Sequence, residues 1–236
     1  MTTDLKLAVF DVDGTLVDSR ASIFEASTQA AEAVGIVPPQ YDQVRAIVGL
    51  SLFEAIVAML PEHDEPTHRA FMQEFQAVFT RRHNEDDFQE ALYDGADALL
   101  RNLKSEGWLI GMATGQSRRG VNRCLDGYNW RDVFDMTFCA DDGPSKPHPH
   151  MVLANLSALG VDRRHAVMIG DTGHDMRMAR EAGIRAVGVS WGFHTVEELC
   201  LAGSHDIVDD FAALHGLLRH FAVQPLSRQY ISNNKI

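Results

Sequence analysis

Residues 5–10, LKLAVF, followed by residues 11–15, DVDGT, decide the fold. The first six residues are mostly apolar and rich in strand formers, so they predict a buried β-strand. In an open parallel sheet, residues just beyond the carboxyl end of a strand line the ligand crevice. Asp11 and Asp13 could have different catalytic roles there, one as a nucleophile and the other as a proton donor and acceptor. Gly14 lets the backbone turn sharply. Asp and Gly are also ordinary turn residues, so this motif needs support from the rest of the chain.

Further apolar runs alternate with helical periodicity along the chain, which predicts an α/β fold with a Rossmann-like parallel sheet. The later strands are expected at residues 109–113, 133–139, 166–169, 186–189 and 206–208. The helices that cover the sheet are expected at residues 96–105, 118–127, 150–159, 175–182, 196–201 and 211–220.

The stretch between the first two strands has helical patterns and no strand pattern. Helices are expected at residues 21–34, 41–48, 51–60 and 67–82, with Pro38-Pro39 and Pro61 interrupting them. We therefore predict an all-helical cap at residues 18–91, inserted into an α/β core made of residues 1–17 and 92–224. The polar, aperiodic residues 225–236 are expected to form a loose tail.

A second acidic motif, GDTGHD at residues 170–175, follows the predicted strand 166–169. It would bring Asp171 and Asp175 to the same edge of the sheet as Asp11 and Asp13. Four carboxylates in one crevice require a cation, and the natural partner of carboxylate and phosphate oxygens is Mg²⁺. Taken alone, the motif could equally be a helix N-cap with acidic residues in its first turn.

Two further strand ends carry phosphate-binding chemistry. Thr114-Gly115 follows the strand 109–113 and could cradle a phosphate with a hydroxyl and a backbone N–H, or simply cap a helix. Lys146, in the stiff segment SKPHP at 145–149, could neutralise a nucleophile and a transferring phosphoryl group, although a lone loop lysine is usually only solvated. The order of all four segments, each after a strand end, favours the catalytic interpretation.

The composition argues against nucleic acid and membrane partners. The formal net charge is −12, and a chain this acidic repels nucleic acid and anionic lipid. There are 3 cysteines, far apart and without zinc or disulfide spacing, which favours a reducing compartment. The sequence predicts no signal peptide and no membrane span. We therefore expect a cytoplasmic protein.

Together these residues resemble the haloacid dehalogenase-like hydrolase superfamily, in its branch with a helical cap after the first strand. Its four signature segments correspond to residues 11–15, Thr114, Lys146 and residues 170–175. The resemblance covers about residues 5–218 and is closest to phosphoglycolate phosphatases, which the cap segment RAIVGL at 45–50 and the glycines within 188–192 also resemble.

The resemblance implies a Mg²⁺-dependent phosphatase that acts on a small phosphorylated metabolite, with 2-phosphoglycolate as the favoured substrate. Asp11 would be the nucleophile and Asp13 the general acid and base. Thr114 and Gly115 would bind the phosphoryl group, and Lys146 would neutralise charge.

The metal ligands implied by the resemblance are Asp11, the backbone carbonyl of Asp13, and Asp171. Asp175 would hold a metal-bound water or orient Lys146. Arg45 in the cap could contact a substrate carboxylate or could simply be a solvated helix residue.

The sequence departs from the family at Gln116, where a lysine is common, and the missing cation makes the substrate less certain. Asp13 argues against a dehalogenase, and a cap without lysine excludes the Schiff-base phosphonatase mechanism. A sugar-phosphate mutase, a nucleotidase and a pyrophosphatase of the same superfamily stay open. Outside it, a phospho-receiver switch or a non-catalytic binding module is possible, and either a monomer or a homodimer is compatible with the sequence.

Overall fold

The computed structural model describes residues 5–83 and 89–221 of the 236-residue chain. The predicted tail at 225–236 and the ends of the predicted core, 1–4 and 222–224, lie outside the described residues.

Six parallel strands form one sheet in the order β3-β2-β1-β4-β5-β6. This confirms the predicted α/β class. The first strand lies in the middle of the sheet, so its carboxyl end is flanked by the ends of β2 and β4. The strands are β1 (Lys6–Phe10), β2 (Trp108–Ala113), β3 (Met136–Phe138), β4 (Ala166–Gly170), β5 (Arg185–Val189) and β6 (Asp206–Val208).

Helices cover both faces of the sheet, because the side chains of each strand alternate between two apolar clusters. Ala8 and Phe10 of β1 pack into one cluster, and Leu7 and Val9 pack into the other. The first cluster is covered by α5 (Ala96–Ser105), α6 (Arg118–Gly127) and α10 (Phe211–Phe221). The second is covered by α7 (His150–Leu159), α8 (Gly173–Ala182) and α9 (Val196–Leu201).

Between β1 and α5, the described residues form four helices, and these share an apolar cluster of their own. They are α1 (Arg20–Val34), α2 (Tyr41–Arg45), α3 (Leu52–Met59) and α4 (Glu65–His83). Residues from all four helices enter this cluster, with Phe71 of α4 fully buried in it. We call these four helices and their connections the cap.

The two connections between the cap and the sheet run side by side. Val17 and Leu92 form an antiparallel bridge. On either side of it, the Asp18 N–H donates to the Ala91 carbonyl at 2.9 Å, and the Tyr93 N–H donates to the Leu16 carbonyl at 3.0 Å. The chain therefore leaves the sheet and returns to it at the same place.

Several elements differ from their predicted bounds, most of them by one or two residues, and three of the differences have a clear local reason. Strand β3 starts at Met136 because Val133 and Phe134 turn back onto Trp130 instead of extending. Helix α2 ends at Arg45, and the turn that follows includes Gly49 with φ +96°. Helix α8 starts at Gly173, before the predicted start at 175, because Thr172 caps it.

Within residues 5–83 and 89–221, no helix is both long enough and apolar enough to cross a membrane.

Candidate active site

The turn after β1 places its two aspartates against the end of β4. The Asp11 N–H donates to the Ile169 carbonyl at 3.0 Å, which continues the pairing of β1 with β4 for one more residue. Gly14 then adopts φ +83°, and a Cβ built there would lie 2.3 Å from Asp171 Oδ2. Only glycine fits this backbone conformation and this close approach. The DVDGT motif thus packs directly against the second acidic motif.

Lys146 lies fully buried between two carboxylates. Its Nζ is 2.6 Å from Asp11 Oδ1 and 2.7 Å from Asp175 Oδ1. Asp11 is 1% exposed, and both Lys146 and Asp175 are also buried. A buried ammonium is tolerable because it is paired, and each carboxylate gains a charge-assisted contact. Residues predicted from three separate strand ends therefore lie in direct contact.

Oxygen atoms of Asp11, Asp171 and Asp175 all lie within 4.8 Å of one another, close enough to share a cation. Asp171 is held in place by the Thr15 hydroxyl, which donates to its Oδ1 at 2.9 Å, and by the Phe193 N–H, which donates to its Oδ2 at 2.8 Å. Asp11 Oδ2 is buried and has no hydrogen-bond partner among the described residues. A hard cation such as Mg²⁺ fits this donor set, because it would be bound by carboxylate oxygens and would satisfy that buried atom.

The electrostatics of the cluster favour binding of positive charge. Burial raises the pKa of Asp11 well above its ordinary value, and the Lys146 ammonium opposes this only in part. Burial and the charge of Asp175 raise the pKa of Asp171 to about 7. Burial acts to lower the pKa of Lys146, but Asp11 and Asp175 outweigh it and hold that pKa above its ordinary value. Lys146 thus stays charged and balances only part of the negative charge.

Asp13 has a different environment from Asp11. Its Oδ2 accepts a hydrogen bond from the Gln116 side-chain amide at 2.8 Å. Burial raises the pKa of Asp13, and hydrogen bonds from Gln116 and Ser19 oppose the rise. Gln116, noted in the sequence as a departure from the family, is therefore a direct partner of Asp13. A carboxyl group with a raised pKa can hold a proton for donation.

Thr114 and Gly115 lie at the end of β2, next to β1. Thr114 is buried, and its hydroxyl accepts a hydrogen bond from the Gln116 N–H at 3.2 Å. A Cβ at Gly115 would lie 2.4 Å from the Leu50 carbonyl oxygen and 2.7 Å from that of Gly49. Gly115 therefore permits the cap to approach the strand ends closely.

The cap touches the sheet edge through the segment that connects α2 and α3. The Ser51 N–H donates to Ser145 Oγ at 2.7 Å, one residue before Lys146. His174 Nε2 lies 3.1 Å from the Ala46 carbonyl oxygen, at the start of α8. A Cβ at Gly49 would lie 3.3 Å from Thr172 Oγ1. Residues 46–51 thus lie over the acidic cluster.

The guanidinium of Arg45, the last residue of α2, forms hydrogen bonds with other residues of the protein. Its Nε donates to Asp42 Oδ1 at 2.8 Å, and its Nη1 donates to Glu198 Oε2 at 2.8 Å. The same Nη1 lies 3.4 Å from the Phe193 carbonyl oxygen. Contact of Arg45 with a substrate carboxylate stays a prediction, and in this structure the guanidinium contacts α9 instead.

Several groups that shape the site were missed by sequence reasoning. Thr15 is the last residue of the motif at 11–15, so its place in that motif could have indicated a role in the site. Ser145, which contacts the cap, adjoins Lys146. The Phe193 N–H had no signal, because a backbone donor 22 residues from its acceptor is fixed only by the folded loop.

Comparison with known proteins agrees with this architecture. The chain is 36% identical over 220 residues to probable phosphatase IndB of Dickeya dadantii, covering 90% of this chain and 95% of the relative. It is 26% identical to a phosphoglycolate phosphatase of Psychrobacter arcticus, covering 98% and 100%. The crystal structure of a predicted phosphatase from Clostridium acetobutylicum superimposes with a TM-score of 0.81 at 25% identity, covering 92% of this chain and 99% of that one.

Residues 8–189 match the family of haloacid dehalogenase-like hydrolases, and the chain belongs to this family. The family and the phosphatase relatives together identify an enzyme of the phosphatase class.

Proposed function

We propose that the protein is a Mg²⁺-dependent phosphatase that hydrolyses a small phosphate monoester through an aspartyl-phosphate on Asp11. The observation that carries the proposal is the state of the Asp11 side chain. One of its oxygens lies 2.6 Å from Lys146 Nζ, and the other is buried without a hydrogen-bond partner among the described residues. A carboxylate held this way is oriented for attack and still needs a positive partner.

Asp11, the backbone carbonyl of Asp13, and Asp171 would hold Mg²⁺. Bound there, Mg²⁺ would supply positive charge that neutralises the oxygens of the transferring phosphoryl group. Thr15 and the Phe193 N–H orient Asp171 for this role. Asp175 Oδ1 lies 2.7 Å from Lys146 Nζ, and this ion pair keeps Lys146 beside Asp11.

In the first step, an oxygen of the Asp11 carboxylate attacks phosphorus in line and forms the acyl-phosphate bond. The bond between phosphorus and the ester oxygen breaks, and its electron pair stays with the leaving oxygen. Asp13 donates its proton to that oxygen, so the product leaves as a neutral alcohol. Lys146 and the Thr114 hydroxyl stabilise the phosphoryl charge during transfer.

In the second step, Asp13, now a carboxylate, takes a proton from water. That water attacks phosphorus, the acyl-phosphate bond breaks, and Asp11 is restored as inorganic phosphate departs. We expect the cap, which approaches Gly115 closely, to limit the access of other water while the ester reacts.

2-Phosphoglycolate is the substrate we propose, supported by the relative of Psychrobacter arcticus that carries this activity in its name. A nucleotidase, a pyrophosphatase and a sugar-phosphate mutase would use the same groups of the core. The proposed setting is the cytoplasm, with a small phosphorylated metabolite as the partner and no nucleic acid or membrane.

Phosphate release from a panel of phosphate monoesters, with Mg²⁺ and with chelator, tests the proposal. The wild type should turn over phosphoglycolate faster than the other esters, and only with Mg²⁺. Asp11→Asn should lose activity by at least about a thousandfold, because an amide is a poor nucleophile. Asp162→Asn, a change at an exposed aspartate in an unrelated turn, is the matched control and should retain activity.

Each other outcome has a definite meaning. Substantial Mg²⁺-dependent activity in Asp11→Asn would contradict the aspartyl-phosphate. Preference for another ester would keep the mechanism and replace the substrate. Phosphate transfer between sugar positions without net release would establish a mutase, and a single stoichiometric phosphorylation of Asp11 would establish a switch.

A further inference from the structure

The contact between Arg45 and the core leads directly toward Asp171. Arg45 Nη1 donates to both oxygens of Glu198, at 2.8 and 3.1 Å, and lies 3.4 Å from the Phe193 carbonyl oxygen. The N–H of the same Phe193 donates to Asp171 Oδ2 at 2.8 Å. One residue of the core therefore joins a cap side chain to a carboxylate of the acidic cluster.

The loop that contains Phe193 has little room to move independently of Asp171. A Cβ at Gly192 would lie 2.2 Å from Asp171 Cβ, which is far inside the normal contact distance. The His194 N–H donates to the Asp171 carbonyl oxygen at 3.3 Å, and His194 Nδ1 accepts from the Gly173 N–H at 3.0 Å. A shift of residues 192–194 would therefore move the Asp171 side chain as well.

Glu198 is a fixed acceptor for Arg45. Its Oε2 accepts the Thr195 N–H at 2.8 Å, and the Thr195 hydroxyl accepts the Glu198 N–H, so the two form a capping box at the start of α9. The hydrogen bond from Arg45 lowers the pKa of Glu198 to about 2, so the acceptor is charged at any working pH. The Arg45 contact is thus made to a rigid, charged group.

We propose that Arg45 is a positioning residue: its contact with Glu198 and Phe193 couples docking of the cap to the orientation of the Asp171 carboxylate. This inference rests on the proposed function, in which Asp171 is a metal ligand. It assigns Arg45 to the assembly of the metal site and not to a substrate carboxylate.

Three variants test the coupling: Arg45→Gln, Glu198→Gln and the double variant. The matched control is Glu65→Gln, which breaks the ion pair between Glu65 and Arg69 within the cap helix α4. Two measurements are made on the protein without substrate. Calorimetry gives the Mg²⁺ dissociation constant, and amide hydrogen exchange gives the protection of the Phe193 N–H.

We expect Arg45→Gln and Glu198→Gln each to raise the Mg²⁺ dissociation constant about tenfold, the low end for partners of metal ligands. The Phe193 N–H should exchange faster in both variants. The double variant should lose no more than Arg45→Gln alone, because Glu198 acts only through Arg45, which also contacts the Phe193 carbonyl. The control should match the wild type, and turnover by the two single variants should recover at high Mg²⁺.

Unchanged Mg²⁺ affinity and unchanged Phe193 protection in the single variants would overturn the inference. So would a Michaelis constant that rises only for Arg45→Gln and only with carboxylate-bearing esters, which is the behaviour of a substrate contact. The proposed function fails separately: a wild-type protein that binds Mg²⁺ but releases no phosphate would reject the phosphatase and leave the coupling to be judged by affinity and exchange.

Discussion

Lys146 is the buried cation around which the site is arranged. It touches Asp11 and Asp175 and is 1% exposed. Removing one partner of a buried ion pair leaves the other charge without compensation, which costs far more than loss of a surface pair. The stability of the metal-free protein therefore depends on this side chain.

Lys146→Met should lower the free energy of unfolding by about 3–5 kcal/mol in the absence of metal, because two buried carboxylates lose their cation. Chemical denaturation in chelator measures the change. Lys104→Met is the matched control: Lys104 pairs with Asp135 near the surface, at 2.7 Å, and should cost about 1 kcal/mol or less. Equal decreases in the free energy of unfolding of the two variants would show that the buried ion pair stabilises the fold no more than the surface pair does.

Among individual residues, the sequence predicted those whose position depends only on a short motif after a strand. Asp11, Asp13, Lys146 and Asp171 follow strand ends, and the sheet order brings strand ends together. The partner of Arg45 could not be predicted, because Glu198 lies 153 residues away and any of many acidic residues could have faced it. The contact depends on the angle at which the cap meets α9, which no local pattern encodes.

At the level of secondary-structure elements, the returning connection of the cap carries a partly buried acid. The hydroxyl of Tyr128, the residue after α6, donates to the Glu90 carbonyl oxygen at 2.7 Å, and Glu90 Oε1 is buried without a hydrogen-bond partner among the described residues. Burial, and then the charge of Asp13, raise the pKa of Glu90 to about 7. In the unfolded chain a glutamate loses its proton near its ordinary pKa, so the folded protein holds this proton over a wider pH range.

The wild type should therefore lose stability as the pH rises from about 5 to 8, since the folded state binds the proton of Glu90 more tightly than the unfolded state. Glu90→Gln stays neutral and should lose about 1–3 kcal/mol less over that range. Denaturation at several pH values measures the difference. Glu62→Gln, at an exposed cap position, should follow the wild type, and parallel curves for all three proteins would refute the assignment.

Helix and strand positions were predicted best where periodicity and a clear stop coincide. Helices α5, α6, α7 and α9 have the predicted bounds. The predictions failed where an apolar run belongs to a turn, as before β3, where Val133 and Phe134 pack back on Trp130. Hydrophobicity alone does not distinguish a strand from a packed loop.

For the molecule as a whole, the proposed Mg²⁺ site predicts that stability depends on metal. Mg²⁺ at about a hundredfold above its dissociation constant should add about 2.7 kcal/mol, because it binds only the folded state. For a chain of this size that raises the unfolding midpoint by about 5–10 °C. Thermal unfolding of the wild type, Asp171→Asn and the exposed control Asp162→Asn checks this. The increase should vanish only in Asp171→Asn, and a control that also loses it would mean that the effect is not specific to the cluster.

The bridge between Val17 and Leu92 has a consequence for how such a molecule can be rebuilt. The chain leaves the core and returns to it at neighbouring backbone positions. For the core, the inserted stretch is therefore equivalent to the loop of a β-hairpin. Closing such a loop costs little more entropy when the insert is long than when it is short. The helices between these two residues could thus be replaced. A tight turn, or an inserted domain whose ends lie close together, could be joined at Val17 and Leu92 without changing the pairing of any strand in the sheet.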